Sequence, residues 1–213
     1  MKTEQLIDLL ASGVEPVPAG TTARRYALAL ACAVPVTLAM MLVLLGLRAD
    51  LHEAVLLPMF WVKVALPVGL AVCGFVAVIR LARPGVSLGR VPMALAVPVA
   101  AIWSLAIYAL MAAAPGERTA LLLGKTWAVC PFLIAMLSVP GFIAAFGAMR
   151  GLAPTRPALA GAAAGLLAGA VATAVYALHC PEMAAPFLAT WYLLGMLIPT
   201  AIGAALGPHL LRW

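Results

Sequence analysis

The sequence predicts an all-α, polytopic membrane protein with six transmembrane helices, and three observations predict it. First, 66% of the 213 residues are hydrophobic, only 9% are charged, and the mean hydropathy is +1.13. A soluble domain of this size carries far more polar surface. Second, the apolar residues gather into six runs, at about 26–47, 59–79, 91–114, 127–148, 158–178 and 187–206. Runs of roughly 20 residues match the thickness of a bilayer core. Third, the runs are continuous rather than alternating, which points to helices and excludes a transmembrane β-barrel. The chain then divides into a segment 1–25 and a six-helix transmembrane domain 26–213.

Charge sets the orientation. Lys2, Arg24, Arg25, Arg80, Arg83, Arg90, Arg150, Arg156 and Arg212 fall in one set of termini and loops, whereas Arg48, Lys63, Arg118 and Lys125 fall in the other. The positive-inside rule places the richer set, and with it both termini, in the cytoplasm. The net charge of +6 is spread over the ends of the apolar runs and forms no basic stripe, so direct nucleic-acid binding is not expected. The first 25 residues are polar, with no cationic start leading into a short apolar core. The first run is therefore expected to be a retained anchor rather than a cleaved signal peptide.

In chain order, "MKTEQLIDLLASG" opens with a short amphipathic helix. Thr3 is suited to cap it, Glu4 to its positive end, and Gly13 to its termination. Leu6, Ile7, Leu9 and Leu10 form its apolar stripe, with Glu4 and Asp8 on another side. A helix of about ten residues is marginal alone in water. The acidic polar side argues against docking on an anionic leaflet, so the stripe is expected to enter a protein groove. A proline-containing linker, "VEPVPAGTTA", follows.

The first run contains Cys32 and Pro35 and is followed on the outer side by "RADLHEA", with Asp50, His52 and Glu53. The second opens at Trp61 and holds Pro67 and Cys73, with Lys63 near enough to its outer end to snorkel. The third carries Pro98, and the fourth opens at Trp127 with Cys130-Pro131 and later Pro140. The fifth contains Gly161, Gly165 and Gly169, a small-residue face for close helix packing. It ends in "HCPE", with His179, Cys180 and Glu182, and the sixth opens at Trp191 and contains Pro199. The near-equal spacing of Trp61, Trp127 and Trp191 suggests three hairpins of similar design. Pro35, Pro67, Pro98, Pro140 and Pro199 are expected to kink their helices.

Two of the four cysteines precede proline, and both of these fall on the outer side. Pro131 suits the first turn of a helix and Pro181 breaks the chain after one. Each Cys-Pro therefore sets a thiol at a helix boundary near water, where it can react. Cys32 and Cys73, within spans, read as inert packing. Cys130 and Cys180 can form a disulfide in an oxidising compartment, or bind a soft metal, with His179, His52 and Glu182 as supporting groups. The spacing leaves the two chemistries open.

No Asp or Glu lies inside a run, and no nucleotide, metalloprotease or serine-hydrolase motif is present. A catalytic role and a resident cofactor are not expected. A small membrane transporter or a membrane thiol redox protein remains the alternative.

The start "MKTEQLIDLLASGVEPVP", the tract "RGLAPTRPALAGAAAGLLAGAVATAVYALHCPE", the following "WYLLGM" and the ending "GPHLLRW" together resemble the NrsF-type inner-membrane anti-sigma factors of proteobacteria. The resemblance covers nearly the whole chain. It implies a bacterial inner-membrane protein that sequesters an extracytoplasmic-function sigma factor through Glu4, Leu6, Ile7, Leu9 and Leu10 of the N-terminal segment. It also implies that Cys130 and Cys180 are the paired outer cysteines implicated in the response to heavy-metal or oxidative stress.

Overall fold

The computed structural model describes residues 3–12, 20–152 and 154–211, without the side chains of residues 10 and 11. The proposed cap at Gly13, the linker up to residue 19, the Leu10 side chain and the terminal Arg212 lie outside the described residues. Among the described residues the chain is helical, with no strand.

The helices start where the sequence supplies an entry signal. Proline stands in the first turn of α4 (Pro58–Leu81), α5 (Val91–Ala112), α7 (Cys130–Leu137), α8 (Val139–Met149), α9 (Pro157–Tyr176) and α10 (Ala185–Phe187). Its missing N–H falls there among donors that have no intrahelical partner anyway. α1 (Thr3–Ser12) runs over the expected span, with Thr3 as its first helical residue. α2 (Thr21–Leu44) is the first long helix. Two short helices, α3 (Leu51–Ala54) and α6 (Arg118–Leu123), lie in connections between long ones. The last span begins as α10, passes through one π-helical turn at Leu188–Tyr192, and continues as α11 (Leu193–Leu210).

Five stretches are long and apolar enough to cross a membrane: α2, α4, α5, α9 and Ala185–Leu210. α7 and α8 make a sixth crossing if counted together, and they meet at a bend of 42°. The continuous fourth span expected from hydropathy is thus broken at Ser138. Pro140 lacks the N–H that would bond to the Met136 carbonyl, and its ring crowds that carbonyl. The Ser138 hydroxyl instead donates to the Ala135 carbonyl at 2.7 Å. Pro35, Pro67 and Pro98 sit inside helices assigned without a break, and so does Pro199 in α11.

α9 is the axle of the bundle. It is built almost wholly of Ala, Gly, Leu and Val, and most of its length is buried, whereas α2 and α5 are largely exposed along theirs. The close packing expected of its glycines is realised on α11. A Cβ at Gly161 would strike the carbonyl of Gly203, and one at Gly165 that of Pro199. α4 and α8 meet α9 in the same way, through Gly74 on Leu167 and Gly141 on Ala168. In lipid there is no hydrophobic drive between helices, so backbone-close dispersion contact is the term that holds such a bundle together.

The buried side chains form two clusters, one toward each end. At the end holding both the start of α2 and the finish of α8, Tyr26, Val78, Leu81, Val91, Met149 and Ala160 pack together. There Arg25 donates to the carbonyls of Gly147 and Arg150 at 3.4 and 2.9 Å. The other cluster gathers Met41, Ile134, Cys130, Tyr176, Cys180 and Tyr192.

Candidate functional site

The second cluster contains the polar groups that an apolar bundle has least reason to bury. Past α9 the chain makes one more turn, with the Cys180 N–H bonding to the Tyr176 carbonyl at 3.0 Å, and Pro181 then ends it. Cys130 opens α7, its N–H on the Thr126 carbonyl at 2.9 Å. The two Cys-Pro steps therefore bring their thiols into one buried cluster, close enough for each to act on the other. Both cysteines are 0% exposed. This corrects the expectation of thiols at the water's edge. The helix boundaries are where the sequence puts them, but the 178–184 segment, α10 and the π turn close over them. The side chains of Tyr176 and Tyr192, from α9 and the π turn, are buried in the same cluster.

Lys63 of α4 is the second departure. It is 0% exposed and does not snorkel outward. Its ammonium donates to the Cys180 carbonyl and, at 2.9 Å, to the Glu182 carbonyl, and it stands 5.7 Å from the centre of the Tyr192 ring. A buried ammonium is costly unless its donors are met, and the 180–182 backbone takes two of its three N–H groups. Arg48 supports the same segment. Its Nε and Nη2 form a two-pronged pair with Asp50, both at 2.7 Å, and its Nη1 donates to the Cys180 carbonyl at 3.3 Å.

Further ties fix the segment to two other connections of the chain. The Arg48 N–H bonds to the Leu178 carbonyl at 3.2 Å. The His179 Nδ1–H donates to the Gly46 carbonyl at 2.9 Å, and the Glu182 carboxylate accepts the Lys125 N–H at 2.7 Å. Gly124, at φ +56°, permits this last contact, because a Cβ there would run into the Glu182 carboxylate. Trp191 anchors the next helix by donating to the Leu122 carbonyl at 2.8 Å.

The electrostatics favour a reactive sulfur at Cys180. The hydrogen bond from Cys130 draws the Cys180 thiol below the ordinary thiol range, the Lys63 ammonium adds to this, and burial opposes both. On the rim, the hydrogen bond from Arg48 lowers the Asp50 carboxyl from 3.8 to about 2. Between those values the folded protein binds fewer protons at Asp50 than the unfolded chain does. The pair thus contributes above pH 4, and its contribution is lost as pH falls through 2. A carboxyl titration followed by NMR is expected to show Asp50 titrating near 2 in the native protein and near 4 in Arg48→Gln.

The other expected site residues divide. His179 and Glu182 adjoin the thiols in sequence, but their side chains hold neighbouring backbone, and His52 is exposed on α3. Among the described residues, no group of three or more His, Cys, Asp and Glu side chains lies close enough to hold a metal ion. The donors that converge are the two sulfurs. Of the remaining thiols, Cys32 is exposed on the side of α2 and Cys73 is half-buried. In α1, Leu6, Ile7 and Leu9 are 41%, 58% and 67% exposed, and Glu4 is exposed as well.

Sequence reasoning missed Lys63, Arg48, Tyr176 and Tyr192 as parts of the site. Lys63 was detectable as a lone cation inside an apolar run, where burial against a partner is as ordinary as snorkelling. The tyrosines gave no signal, because an aromatic residue at a span end suits the membrane interface equally well.

Fold and site together define a polytopic helical membrane protein that encloses a dithiol at one end of its bundle and carries an exposed amphipathic helix at its N-terminus. Comparison with known proteins makes this specific: the chain belongs to the family described as Negative regulator of sigma F, which it matches over residues 10–213. It is 55% identical over 213 residues to a protein of Azospira oryzae named "Probable anti-sigma-F factor NrsF", with all of both chains covered. It is 42% identical over 219 residues to the "Anti-sigma-F factor NrsF" of Caulobacter vibrioides, again over the whole of both chains. No solved structure matches.

Proposed function

We propose that this protein is a non-catalytic, membrane-anchored anti-sigma factor of the bacterial inner membrane. It sequesters an extracytoplasmic-function sigma factor through α1 and releases it when the Cys130–Cys180 pair reacts. The observation that carries the reading is α1 itself: an amphipathic helix with Leu6, Ile7 and Leu9 uncovered, in a chain whose relatives are named as anti-sigma-F factors. Arg24, Arg25, Arg80, Arg83, Arg90, Arg150 and Arg156 all fall at the end of the bundle where α1 joins, which supports a cytoplasmic α1 with the thiols on the opposite side.

At rest the apolar face of α1, including Leu10, fills a groove on the sigma factor, with Glu4 at its rim. The signal is thiol chemistry. A diffusible two-electron oxidant converts the two thiols to a disulfide, accepting two electrons as two protons leave. Alternatively, a soft divalent cation displaces both protons and bridges the two sulfurs. His179 and Glu182 serve this site by holding the Cys180 segment in place.

The test is co-purification in mild detergent from the native host, with bound proteins identified by mass spectrometry. The full chain is expected to retain a sigma factor, and a version lacking residues 2–20 to lose it. Leu9→Asp, which puts a charge on the 67% exposed apolar position, is expected to weaken retention by at least about 10-fold, the loss of a well-buried apolar anchor. Absence of any sigma factor with the full chain would reject the reading.

A further inference from the structure

We propose that Lys63 is the positioning residue that conveys the state of the thiol pair to the rest of the bundle. The inference rests on the thiol-pair reading above and assigns the connection that reading lacks. Lys63 belongs to α4, yet both of its hydrogen bonds go to the chain after α9, to the carbonyls of Cys180 and Glu182. One of those acceptors belongs to the reacting residue itself. Among the described residues the ion pair formed is Arg48–Asp50, so Lys63 has no carboxylate within salt-bridge distance. The groups facing it are the sulfurs of Cys180 and Cys130, the Tyr192 ring, the Arg48 guanidinium and the more distant Glu182 carboxylate.

The consequence is mechanical. A disulfide brings two sulfurs from non-bonded contact to about 2.05 Å, so Cys180 must move toward Cys130. A loop tied only to itself would absorb that movement. Here the Cys180 carbonyl moves with its residue, and a fully buried ammonium cannot let go without losing its donors' partners in an apolar interior. α4 is therefore displaced with the loop. Its far end carries Val78 and Leu81 into the cluster that holds Tyr26 of α2, beside the segment that leads to α1. Lys63 thereby joins the two clusters through one rigid helix, a two-ended element that the thiol state biases.

The experiment uses the full chain with its bound sigma factor in lipid nanodiscs. Diamide, a membrane-permeant azo oxidant, takes up two hydrogens from the thiol pair and becomes a hydrazine. Oxidation is scored by the loss of two hydrogen masses from the Cys130–Cys180 peptides, and release of the sigma factor is compared at matched extents of oxidation. Wild type is expected to release on oxidation. Lys63→Met is expected to bind the sigma factor at rest, to reach full oxidation on longer exposure, and to retain the sigma factor with release reduced at least about 10-fold. Lys63→Arg, which keeps a cation for the same carbonyls, is expected to restore much of the release.

Normal release by oxidised Lys63→Met overturns the proposal while leaving the thiol reading intact. Normal release by Cys130→Ser/Cys180→Ser overturns the thiol reading instead. Should Lys63→Met fail to accumulate, Lys63→Leu, which likewise has no donor for the two carbonyls, takes its place: release at wild-type level overturns the proposal, and retention supports it.

Discussion

Replacing Gly165 with leucine is expected to prevent the bundle from closing. Gly165 faces α11 so closely that even a methyl group there would meet the Pro199 carbonyl and the Thr200 Cα. The obstacle is backbone, so no rotamer change can relieve it and the two helices must separate. Separation forfeits the neighbouring contacts of Gly161 on Gly203 and Gly169 on Pro199 and Met196, because one rigid helix carries all three. Overpacking of an ordinary core costs about 1–3 kcal/mol. An obstruction that lifts a whole helix face belongs above that range, among the exceptional losses of more than about 4 kcal/mol. The check is unfolding in mixed micelles with increasing denaturing detergent, where Gly165→Leu should show no native baseline. Gly147, where an added methyl group would have nothing within 4 Å, supplies the control, and Gly147→Ala should unfold like wild type.

The second large effect falls on signalling rather than folding. Cys130→Ser combined with Cys180→Ser should leave sigma-factor retention unchanged at rest and abolish release under diamide or a soft divalent cation. Inducible release is expected to drop at least about 10-fold, equivalent to about 1.4 kcal/mol of lost differential stabilisation. Each single substitution should do nearly as much, since a disulfide or a sulfur-bridged cation needs both partners. Reactivity should also carry the mark of the site. Cys180 is held below the ordinary thiol range, so its thiolate persists at pH values where a free cysteine is protonated. Alkylation by a small permeant maleimide should change little between pH 9 and pH 7, where an unperturbed thiol slows roughly 10-fold per unit below its pKa. A steep fall across that interval would contradict the assigned environment. If the double variant still releases the sigma factor under both reagents, the pair is not the sensor.

The bundle was legible because its determinants are local. The apolar runs, the Pro131 entry to α7 and the GxxxGxxxG spacing on α9 are properties of neighbouring residues, and they appear in the structure where the pattern put them. Hydropathy alone could not show the break at Ser138, because Pro140 is as apolar as the residues around it, but its missing N–H marked the kink that the 42° bend realises. The candidate site was half legible. Two Cys-Pro steps on one side of the membrane marked the thiols. Their burial, however, comes from α10, the π turn and the 178–184 segment folding over them, and that is a tertiary event. Lys63 illustrates the limit most clearly. Its position six residues into α4 fits a snorkelling cation as well as a buried one. What decides between them is whether carbonyls come within reach, and those carbonyls belong to residues 180 and 182, more than a hundred positions away.

The π turn at Leu188–Tyr192 sets the phase of the last span. One residue added to an α-helix advances everything beyond it by about 100° around the axis. In the last span that offset separates two surfaces that a regular helix would hold in one fixed phase. Beyond the turn, Met196, Pro199 and Gly203 stay in register against α9, and within it Trp191 and Tyr192 swing toward the Leu122 carbonyl and the thiols. The insertion acts as a vernier between the structural and the chemical ends of one helix. Deleting Ala189 from this turn would remove only a methyl side chain and still rotate Trp191 and Tyr192 relative to the face that Met196, Pro199 and Gly203 hold against α9.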